Sequence, residues 1–419
     1  MGCKSNQFES AVISETLIKN GFFHCDKQEE CDIYILNSCT VTHKSDSEAL
    51  YLLRNIKHKN PKVKTILTGC LAQVEKEELL KNDFVDIVLG NDEKLNIIKY
   101  LDNEKSCNIT DLMKKSDFTP AELHDTTKTR ANVKIQDGCD NRCSYCIIPF
   151  ARGKSRSAEI DFIINQINDL VQQGFKEVVF TGIHIGQWGK EWGLSLIDLL
   201  KEIEEKTTVP RYRLGSLNPL EITDELLEFL KKSEKFCPHF HLSLQSACDK
   251  TLKSMNRFYN VEDYLKQIEK INMMFDLPFL GSDIITGFAG ESDEDFEITR
   301  QNLEKSGLSR IHTFPYSRRK GTVGYNAPNQ VDDKVKEERA TFVKNISKQK
   351  YDEFVRKNIG HTVEILIEKH PDKLGQLKGV TRNYLTVTLN SKSTELLNSI
   401  VFAKITDYKN GKIFGELAV

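Results

Sequence analysis

The chain has 419 residues, of which 39% are hydrophobic and 29% charged, and its formal net charge is −2. This length allows two to four domains. The near-neutral charge excludes a global basic field, so any nucleic acid must be bound by a local patch. Eleven cysteines are a high count. Because no secretory signal or membrane-spanning stretch is visible, we expect a cytoplasmic protein without a membrane partner. In that reducing compartment, clustered cysteines indicate metal or redox sites rather than disulfides.

Residues 1–105 alternate short apolar runs, at 32–36, 63–67 and 85–89, with charged helical stretches. This alternation predicts an α/β domain with a parallel sheet. Cys39 follows the first run and Cys70 the second, and ligands gather at the carboxyl ends of such strands. Cys3 is a third candidate, but its strand would have to precede residue 1. Without that strand, Cys3 would lie on a frayed terminus. The alternative is three unrelated core cysteines.

The rest of the chain divides by composition. Residues 106–130 are polar and aperiodic, which predicts a linker. Residues 131–350 contain about six strand–helix units and predict a partial or complete βα barrel. From 356 to 419, short runs rich in Val, Ile, Leu and Thr predict a small β-barrel, and this tail has ten Lys and Arg against six Asp and Glu.

The densest group of chemically active residues is Cys139, Cys143 and Cys146, spaced Cys-x3-Cys-x2-Cys. Structural zinc takes four protein ligands, whereas iron–sulfur clusters are held by thiolates at short spacings. Three thiolates would leave one corner of a four-iron cluster open to a ligand that is not protein. A zinc knuckle or a redox trio is the alternative, but no fourth Cys or His lies at knuckle spacing.

Other segments add a family signature. They are Gly-Cys-Lys-Ser-Asn-Gln at 2–7, Asn-Ser-Cys-Thr-Val-Thr at 37–42, Thr-Gly-Ile-His-Ile-Gly at 181–186, Asp-Ile-Ile-Thr-Gly-Phe-Ala-Gly-Glu at 283–291 and Gly-Val-Thr-Arg-Asn-Tyr at 379–384. With the cysteine loop, they resemble the radical S-adenosylmethionine (SAM) methylthiotransferases over nearly the whole chain. The order is also the family's: an N-terminal domain with three spread cysteines, a radical-SAM barrel and a C-terminal TRAM domain. The first two segments and Cys-Ile-Ile-Pro-Phe-Ala-Arg-Gly look most like the branch that acts on N6-threonylcarbamoyladenosine in tRNA.

The resemblance implies two four-iron clusters. The first, on Cys139, Cys143 and Cys146, would bind SAM and start the radical chemistry, which makes these cysteines the predicted catalytic group. The second, on Cys3, Cys39 and Cys70, would carry the sulfur that joins C2 of adenine. The implied partners are the tRNA anticodon loop and an electron donor, with no DNA.

The resemblance also suggests which residues bind the cofactor and which bind RNA. The candidates for SAM are Tyr145, Thr181, Gly182, Ile183, Gly287 and Gly290, and the alternative is loop packing and tight turns. The candidates for RNA are Lys378, Arg382, Asn383 and Tyr384, because charge next to an aromatic ring suits unstacked bases. The alternative is an ordinary β-turn. Arg152 and Arg156 could meet a carboxylate or a phosphate, or be solvated.

Other functions stay open at this point. Within the family they are methylthiolation of N6-isopentenyladenosine or of an aspartate in a ribosomal protein. Outside it, the alternative is a non-catalytic, metal-stabilised RNA-binding protein.

Overall fold

The computed structural model describes residues 2–123, 128–391 and 393–418. Part of the predicted linker, residues 124–127, lies outside the described residues. In the described ranges, no helix is both long and apolar enough to cross a membrane.

The N-terminal region is a parallel sheet flanked by helices, as predicted. Its strands, in spatial order, are β1 Ile33–Ser38, β2 Lys64–Gly69, β3 Ile87–Leu89 and β4 Ser106–Asn108. The helices are α1 Lys4–Lys19, α2 His43–Lys59 and α3 Cys70–Glu75. Strand β4 pairs with β3, so the prediction that the linker begins at residue 106 was wrong. Its three residues have too little apolar character to signal a strand.

The middle region contains two parallel sheets that follow chain order. The first is formed by β5 Ala131–Lys134, β8 Glu177–Thr181 and β9 Arg211–Arg213, and the second by β10 Ser216–Leu217, β11 His239–Leu242, β12 Phe279–Thr286 and β13 Arg310–Pro315. A short antiparallel pair, β6 Gln136–Asp137 and β7 Arg156–Ser157, lies beside the first sheet. Sequential parallel strands joined by helices are the arrangement of an open βα barrel.

Most helices of this region cover the outer face of the sheets, whereas α4 packs against α3 of the N-terminal region. The helices are α4 Ile148–Arg152, α5 Ile160–Gln172, α6 Leu196–Lys206, α7 Asp224–Lys232, α8 Asp249–Ser254, α9 Val261–Met274, α10 Asp293–Lys305 and α11 Asp333–Asn358. Their apolar faces and alternate strand residues such as Val178 and Phe180 form the main core. The other strand residues, such as Val179, therefore face the inside of the barrel.

The C-terminal region is a closed β-barrel, as predicted. Its strands are β14 Thr362–Ile367, β15 Leu377–Thr381, β16 Thr386–Leu389, β17 Ile400–Lys409 and β18 Lys412–Leu417, closed in the order β14-β15-β16-β18-β17. The turn between β15 and β16 places Tyr384 at φ +70°, a conformation that side chains other than glycine seldom adopt. The turn is packed against the middle region, which fixes this geometry.

Candidate metal centre

The tight cysteine loop lies between β6 and α4, where β5 has just reached its carboxyl end. Backbone hydrogen bonds fix it: Cys139 N donates to Gly153 O at 3.0 Å, and Ser144 N donates to Met255 O at 3.0 Å. Gly138 precedes the loop at φ +74°, and a Cβ there would lie 1.8 Å from Lys154 O. Only glycine fits this approach, so the sequence itself dictates how the loop leaves the strand.

The three thiols of this loop influence one another. Burial, then the charges of Cys143 and Cys139, raise the pKa of Cys146 to about 12. Three thiolates are therefore stable together only beside a cation such as a bound metal. Two cationic side chains face the loop as well. Arg257 Nη1 donates to Cys143 Sγ at 3.5 Å, and His184 Nδ1 lies 3.5 Å from Cys139 Sγ.

His184 and Arg257 were not predicted as site residues. His184 Nε2 is paired with Glu221, which orients its ring toward Cys139. Burial lowers the pKa of His184, but Cys139 and Glu221 together raise it to about 9. The histidine lies within the segment at 181–186 that carried the family resemblance, and this was the signal that could have identified it.

The second trio meets at the edge of the N-terminal sheet. Cys39 follows β1, Cys70 opens α3 directly after β2, and Cys3 is the N-cap of α1. Burial and the charges of Cys70 and Cys3 raise the pKa of Cys39 to about 11. Carboxyl ends of parallel strands meet at one sheet edge, and the predicted grouping follows from this.

Helix α1 holds Cys3 against the sheet. Asn6 Nδ2 donates to Ser38 O at 2.8 Å, and Asn37 Nδ2 donates to Asn6 O at 3.0 Å. Cys3 itself is exposed, and its Sγ lies 3.6 Å from Asn6 Oδ1. The expectation of a frayed Cys3 was therefore wrong for the described residues, because the first turn of α1 is hydrogen-bonded to the end of β1.

The geometry of both trios differs from that of a single-ion site. Among the described residues, no three Cys, His, Asp or Glu side chains surround one ion position. A four-iron cluster does not need this, because each thiolate binds a different iron of the cluster. The all-sulfur donor sets fit iron–sulfur clusters.

A buried ionic network lies beside the second trio. Arg152 Nε donates to Cys70 Sγ at 3.3 Å, while its terminal nitrogens contact both carboxylate oxygens of Glu9. Lys94 and Lys134 also contact Glu9, at 2.5 and 2.8 Å. Arg152, Lys94 and Glu9 are all at most 1% exposed. Arg152 is therefore not solvated, which was one of the three sequence interpretations, and the carboxylate that it contacts is that of Glu9.

Positive charge is in excess in this network. Its carboxylates are Glu9 and Asp137, whereas its cations are Lys94, Lys134, Arg152 and Arg156. Buried charge without a counter-ion is costly. An anionic thiolate-bound cluster beside Cys70 would supply the missing negative charge, so these residues fit the implied group.

The residues predicted to bind SAM lie around the cysteine loop. Thr181 ends β8, and the backbone N–H groups of Ile183 and His184 donate to Gln136 Oε1 at 3.0 and 2.7 Å. Tyr145 packs edge-on against Phe288, with ring centroids 6.5 Å apart. The SAM assignment of Tyr145, Thr181, Gly182 and Ile183 stays a prediction.

The two predicted glycines have different surroundings. Gly287 lies at φ +69°, and a Cβ there would approach Lys336 Cγ to 2.3 Å. Close packing against α11 already requires this glycine. Gly290 lies at φ +80° with open space around it. Their contact with SAM also stays a prediction.

The predicted RNA-binding turn instead docks on the middle region. Arg382 Nη2 donates to Phe236 O at 2.7 Å, and Asn383 Nδ2 donates to Leu277 O at 2.9 Å and Asn358 Oδ1 at 2.8 Å. The Tyr384 ring packs 4.3 Å from His239. Protein groups therefore already take hydrogen bonds from Arg382 and Asn383. The RNA assignment of Lys378, Arg382, Asn383 and Tyr384 stays a prediction.

Comparison with known proteins decides the family. Residues 1–90 match the profile of the uncharacterized protein family UPF0004, and residues 133–303 match that of the Radical SAM superfamily. The chain is 34% identical over 396 residues to the threonylcarbamoyladenosine tRNA methylthiotransferase MtaB of Aquifex aeolicus, covering 92% of this chain and 94% of that protein. The chain belongs to the radical SAM methylthiotransferase family. SAM and a [4Fe–4S] cluster are therefore its cofactors.

Two branches of this methylthiotransferase family are similar to the chain. The MtaB enzyme of Bacillus subtilis is 33% identical over 417 residues, covering 97% of this chain and 92% of that protein. The tRNA-2-methylthio-N(6)-dimethylallyladenosine synthase of Lachnoclostridium phytofermentans is also 33% identical, over 429 residues that cover 99% and 94%. Sequence identity alone therefore distinguishes poorly between the two branches.

A solved structure supports the fold. The radical SAM methyltransferase TsrM from Kitasatospora setae, with cobalamin and a [4Fe-4S] cluster bound, aligns with a TM-score of 0.54 at 13% identity. The alignment covers 76% of this chain and 74% of TsrM. At this identity, the likeness concerns the fold alone.

Proposed function

We propose that this methylthiotransferase converts N6-threonylcarbamoyladenosine beside the anticodon of tRNA to its 2-methylthio derivative. The observation that carries the proposal is the presence of two cysteine trios, one in the loop after β6 and one at the edge of the N-terminal sheet, where Arg152 donates to Cys70. The MtaB relatives from Aquifex aeolicus and Bacillus subtilis, which match over nearly their full length, favour this substrate. Methylthiolation of dimethylallyladenosine is the second candidate, favoured by the relative of that name.

In this proposal each trio holds one four-iron cluster. Cys139, Cys143 and Cys146 hold the first, and the second is held by Cys3, Cys39 and Cys70. The clusters, with SAM and a one-electron donor, supply the radical that opens the C2–H bond of adenine and the sulfur that replaces the hydrogen. The proposed compartment is the cytoplasm, and the nucleic acid is RNA rather than DNA.

The chain's own residues would stabilise these sites electrostatically. Arg257 donates to Cys143, Arg152 donates to Cys70, and His184 faces Cys139. Hydrogen bonds from charged donors to thiolate favour the ionised form that a metal requires. Because Arg152 also binds Glu9 on α1, it fixes the N-terminal region relative to the cysteine loop.

Apolar packing would exclude water beside the loop. Met255, Phe288 and Tyr316 form a small buried cluster, and Tyr145 and Ile285 pack against it. A dry surface strengthens the electrostatic interactions next to it and protects a reactive intermediate from solvent.

Iron and sulfide analysis tests the two-cluster proposal. After anaerobic reconstitution, we expect about eight irons and as many sulfides per chain. Cys143→Ala and Cys70→Ala should each lose about half of both. Cys25→Ala is the matched control, because Cys25 belongs to neither trio and its thiol donates to Lys27 O near the surface. Zinc without sulfide would contradict the proposal.

A product assay tests the function itself. The reconstituted enzyme, given SAM, a reductant and tRNA, should convert threonylcarbamoyladenosine to its methylthio derivative, detected by mass spectrometry of nucleosides. The Cys143→Ala enzyme should yield none. A wild-type enzyme with full iron content that modifies only dimethylallyladenosine would support the second candidate instead.

A further inference from the structure

A cavity of about 390 Å³ lies where α1, β5, β8 and the C-terminal barrel meet. This volume is within the range of small-molecule sites. Lys4, Lys128, Arg130 and Lys378 line it, and Glu368 supplies the one carboxylate among the described lining residues. We call this space the cationic cavity.

The positive charge of the cationic cavity is only partly balanced. Glu368 Oε1 lies 3.6 Å from Arg130 Nη2, and Glu368 also accepts a hydrogen bond from Thr129 Oγ1 at 2.6 Å. Lys4, Lys128 and Lys378 form no ion pair with any described residue. Lysines that converge on an enclosed space create a field that attracts anions.

Tyr384 forms one wall of the cationic cavity, and the positive charges around it alter the pKa of its hydroxyl. Burial raises the pKa of Tyr384, but Lys4, Arg130 and Arg213 outweigh it, and the pKa falls below its ordinary value. The guanidinium of Arg213 lies 4.9 Å from the centre of the Tyr384 ring, and that of Arg130 lies 5.8 Å from it. The docked turn of the C-terminal barrel therefore completes the cavity.

The cavity lies inside the βα barrel, below the candidate metal centre. Val179 faces the barrel interior, and Thr181 lies two residues further along the same face of β8, about 7 Å toward the strand end. On the opposite wall, Lys4 directly follows Cys3 in α1. A nucleobase between the two cysteine trios would therefore have the cavity within reach of its substituents.

We infer that the cationic cavity binds the carboxylate at the end of the threonylcarbamoyl group of the substrate base. This inference rests on the proposed function. The N6 substituent leaves the ring at C6, and its terminal carboxylate lies several bonds beyond N6, so it reaches a pocket separate from the one that holds C2. Its terminal carboxylate matches lysine and arginine donors, whereas a dimethylallyl group has no charge to offer them. The cavity thereby selects between the two branch substrates, because an apolar group would leave its cations unpaired.

Substitution of Lys378 tests whether the cavity binds this carboxylate. Lys378 lines the cavity from β15, has no ion pair among the described residues, and belongs to neither cysteine trio. The experiment measures binding of the reconstituted enzyme to anticodon stem–loop RNAs that differ only at N6, by fluorescence anisotropy at fixed salt. One RNA carries threonylcarbamoyladenosine and the other unmodified adenosine. Lys404→Gln is the control, since Lys404 is exposed on the same barrel and its change removes the same charge.

The Lys378→Gln enzyme should bind the threonylcarbamoyl RNA about tenfold more weakly, the usual effect of losing one charged hydrogen bond. Its affinity for the unmodified RNA should match that of Lys404→Gln, and Lys378→Arg should restore the preference. An equal loss for both RNAs would overturn the inference and assign Lys378 to the phosphate backbone. An unchanged preference would overturn it as well. If wild-type enzyme produced no methylthio-threonylcarbamoyladenosine at all, the proposed function would fail instead.

Discussion

At the residue scale, Arg152 makes the most informative contacts in the structure. It is fully buried, donates to Cys70, and pairs with Glu9 on a helix more than a hundred residues away in sequence. Breaking a buried ion pair by removing one partner leaves an uncompensated charge and costs about 3–5 kcal/mol. The same side chain therefore serves both stability and the environment of a cysteine proposed to bind iron.

We predict that Arg152→Gln lowers the free energy of unfolding by about 3 kcal/mol, because Glu9 loses its bidentate partner. Iron bound per chain should also fall, since Cys70 loses its cationic donor. Urea denaturation and iron analysis measure the two effects. Arg300→Gln is the control: Arg300 pairs with Glu297 and Glu304 at the surface, and its loss should leave both quantities unchanged. Full iron and stability in Arg152→Gln would refute this role.

At the element scale, strands β8 and β9 are joined by buried charges as well as by backbone pairing. Glu177 on β8 contacts Arg213 Nε at 3.0 Å and Arg211 Nη2 at 2.5 Å. The same arginines reach the C-terminal barrel, where Arg213 donates to Arg382 O at 2.7 Å and Arg211 to Val380 O at 3.2 Å. A single carboxylate thus stabilises a strand pair and a domain contact.

We predict that Glu177→Gln lowers the free energy of unfolding by about 3 kcal/mol near neutral pH, because Arg213 loses its buried counter-charge and Arg211 keeps only Glu364, 3.4 Å away. Burial alone would raise the pKa of Glu177, but Arg213 and Arg211 lower it to about 2. A lowered carboxyl pKa stabilises the fold above the unfolded-state value of about 4.3. The contribution disappears as the pH falls from there toward 2.

Urea denaturation of wild type and Glu177→Gln at several pH values measures this effect. The difference in unfolding free energy should be full at pH 7 and shrink below about pH 4. Glu262→Gln is the control, because Glu262 forms an exposed pair with Lys266. A difference independent of pH would show that the charge of Glu177 is not what stabilises the contact.

The sequence predicted the strands whose apolar residues recur clearly, and the structure confirms the parallel N-terminal sheet, the open βα barrel and the closed C-terminal barrel. It missed β4, whose Ser-Cys-Asn sequence lacks a strand signal, and it did not identify α1. That helix has mixed residues on most faces because both the sheet and the βα barrel contact it. Periodicity reveals a helix with one apolar face more readily than one buried between two partners.

At the scale of the whole molecule, three regions meet around the inside of the βα barrel. Helix α1 contributes Glu9 and Lys4 from one side, and the turn after β15 contributes Asn383 and Tyr384 from the other. These contacts are polar and buried, and at the C-terminal barrel they add to the apolar packing of Phe279, Phe354 and Val355 against its strands. Both the ionic network and the cationic cavity exist only when the regions are docked.

We predict that Asn383→Ala loosens the C-terminal barrel from the core. Leu277 O and Asn358 would lose a buried donor, at a cost of about 1–3 kcal/mol. Hydrogen exchange should accelerate in the β15–β16 turn and at the end of α11, and the threonylcarbamoyl preference should weaken because Tyr384 no longer closes the cavity. Thr386→Ala, an exposed change on β16, is the control. Unchanged exchange in Asn383→Ala would contradict this docking role.

The cysteine trios could be predicted because their spacing and strand positions are local features. The ionic network and the cationic cavity could not, since Glu9, Lys94 and Arg152, or Lys4, Arg130 and Lys378, come together only through tertiary packing. The Arg382–Tyr384 turn shows the same limit: its composition suits RNA, yet the fold turns two of its three side chains to protein carbonyls and amides.

The most direct test of the central claim is mass spectrometry of nucleosides in tRNA from cells with and without this chain. The account predicts that 2-methylthio-N6-threonylcarbamoyladenosine appears only when the chain is present, and that it is lost when either Cys143 or Cys70 is replaced by alanine. Its presence in cells that lack the chain, or its persistence in both cysteine variants, would contradict the account.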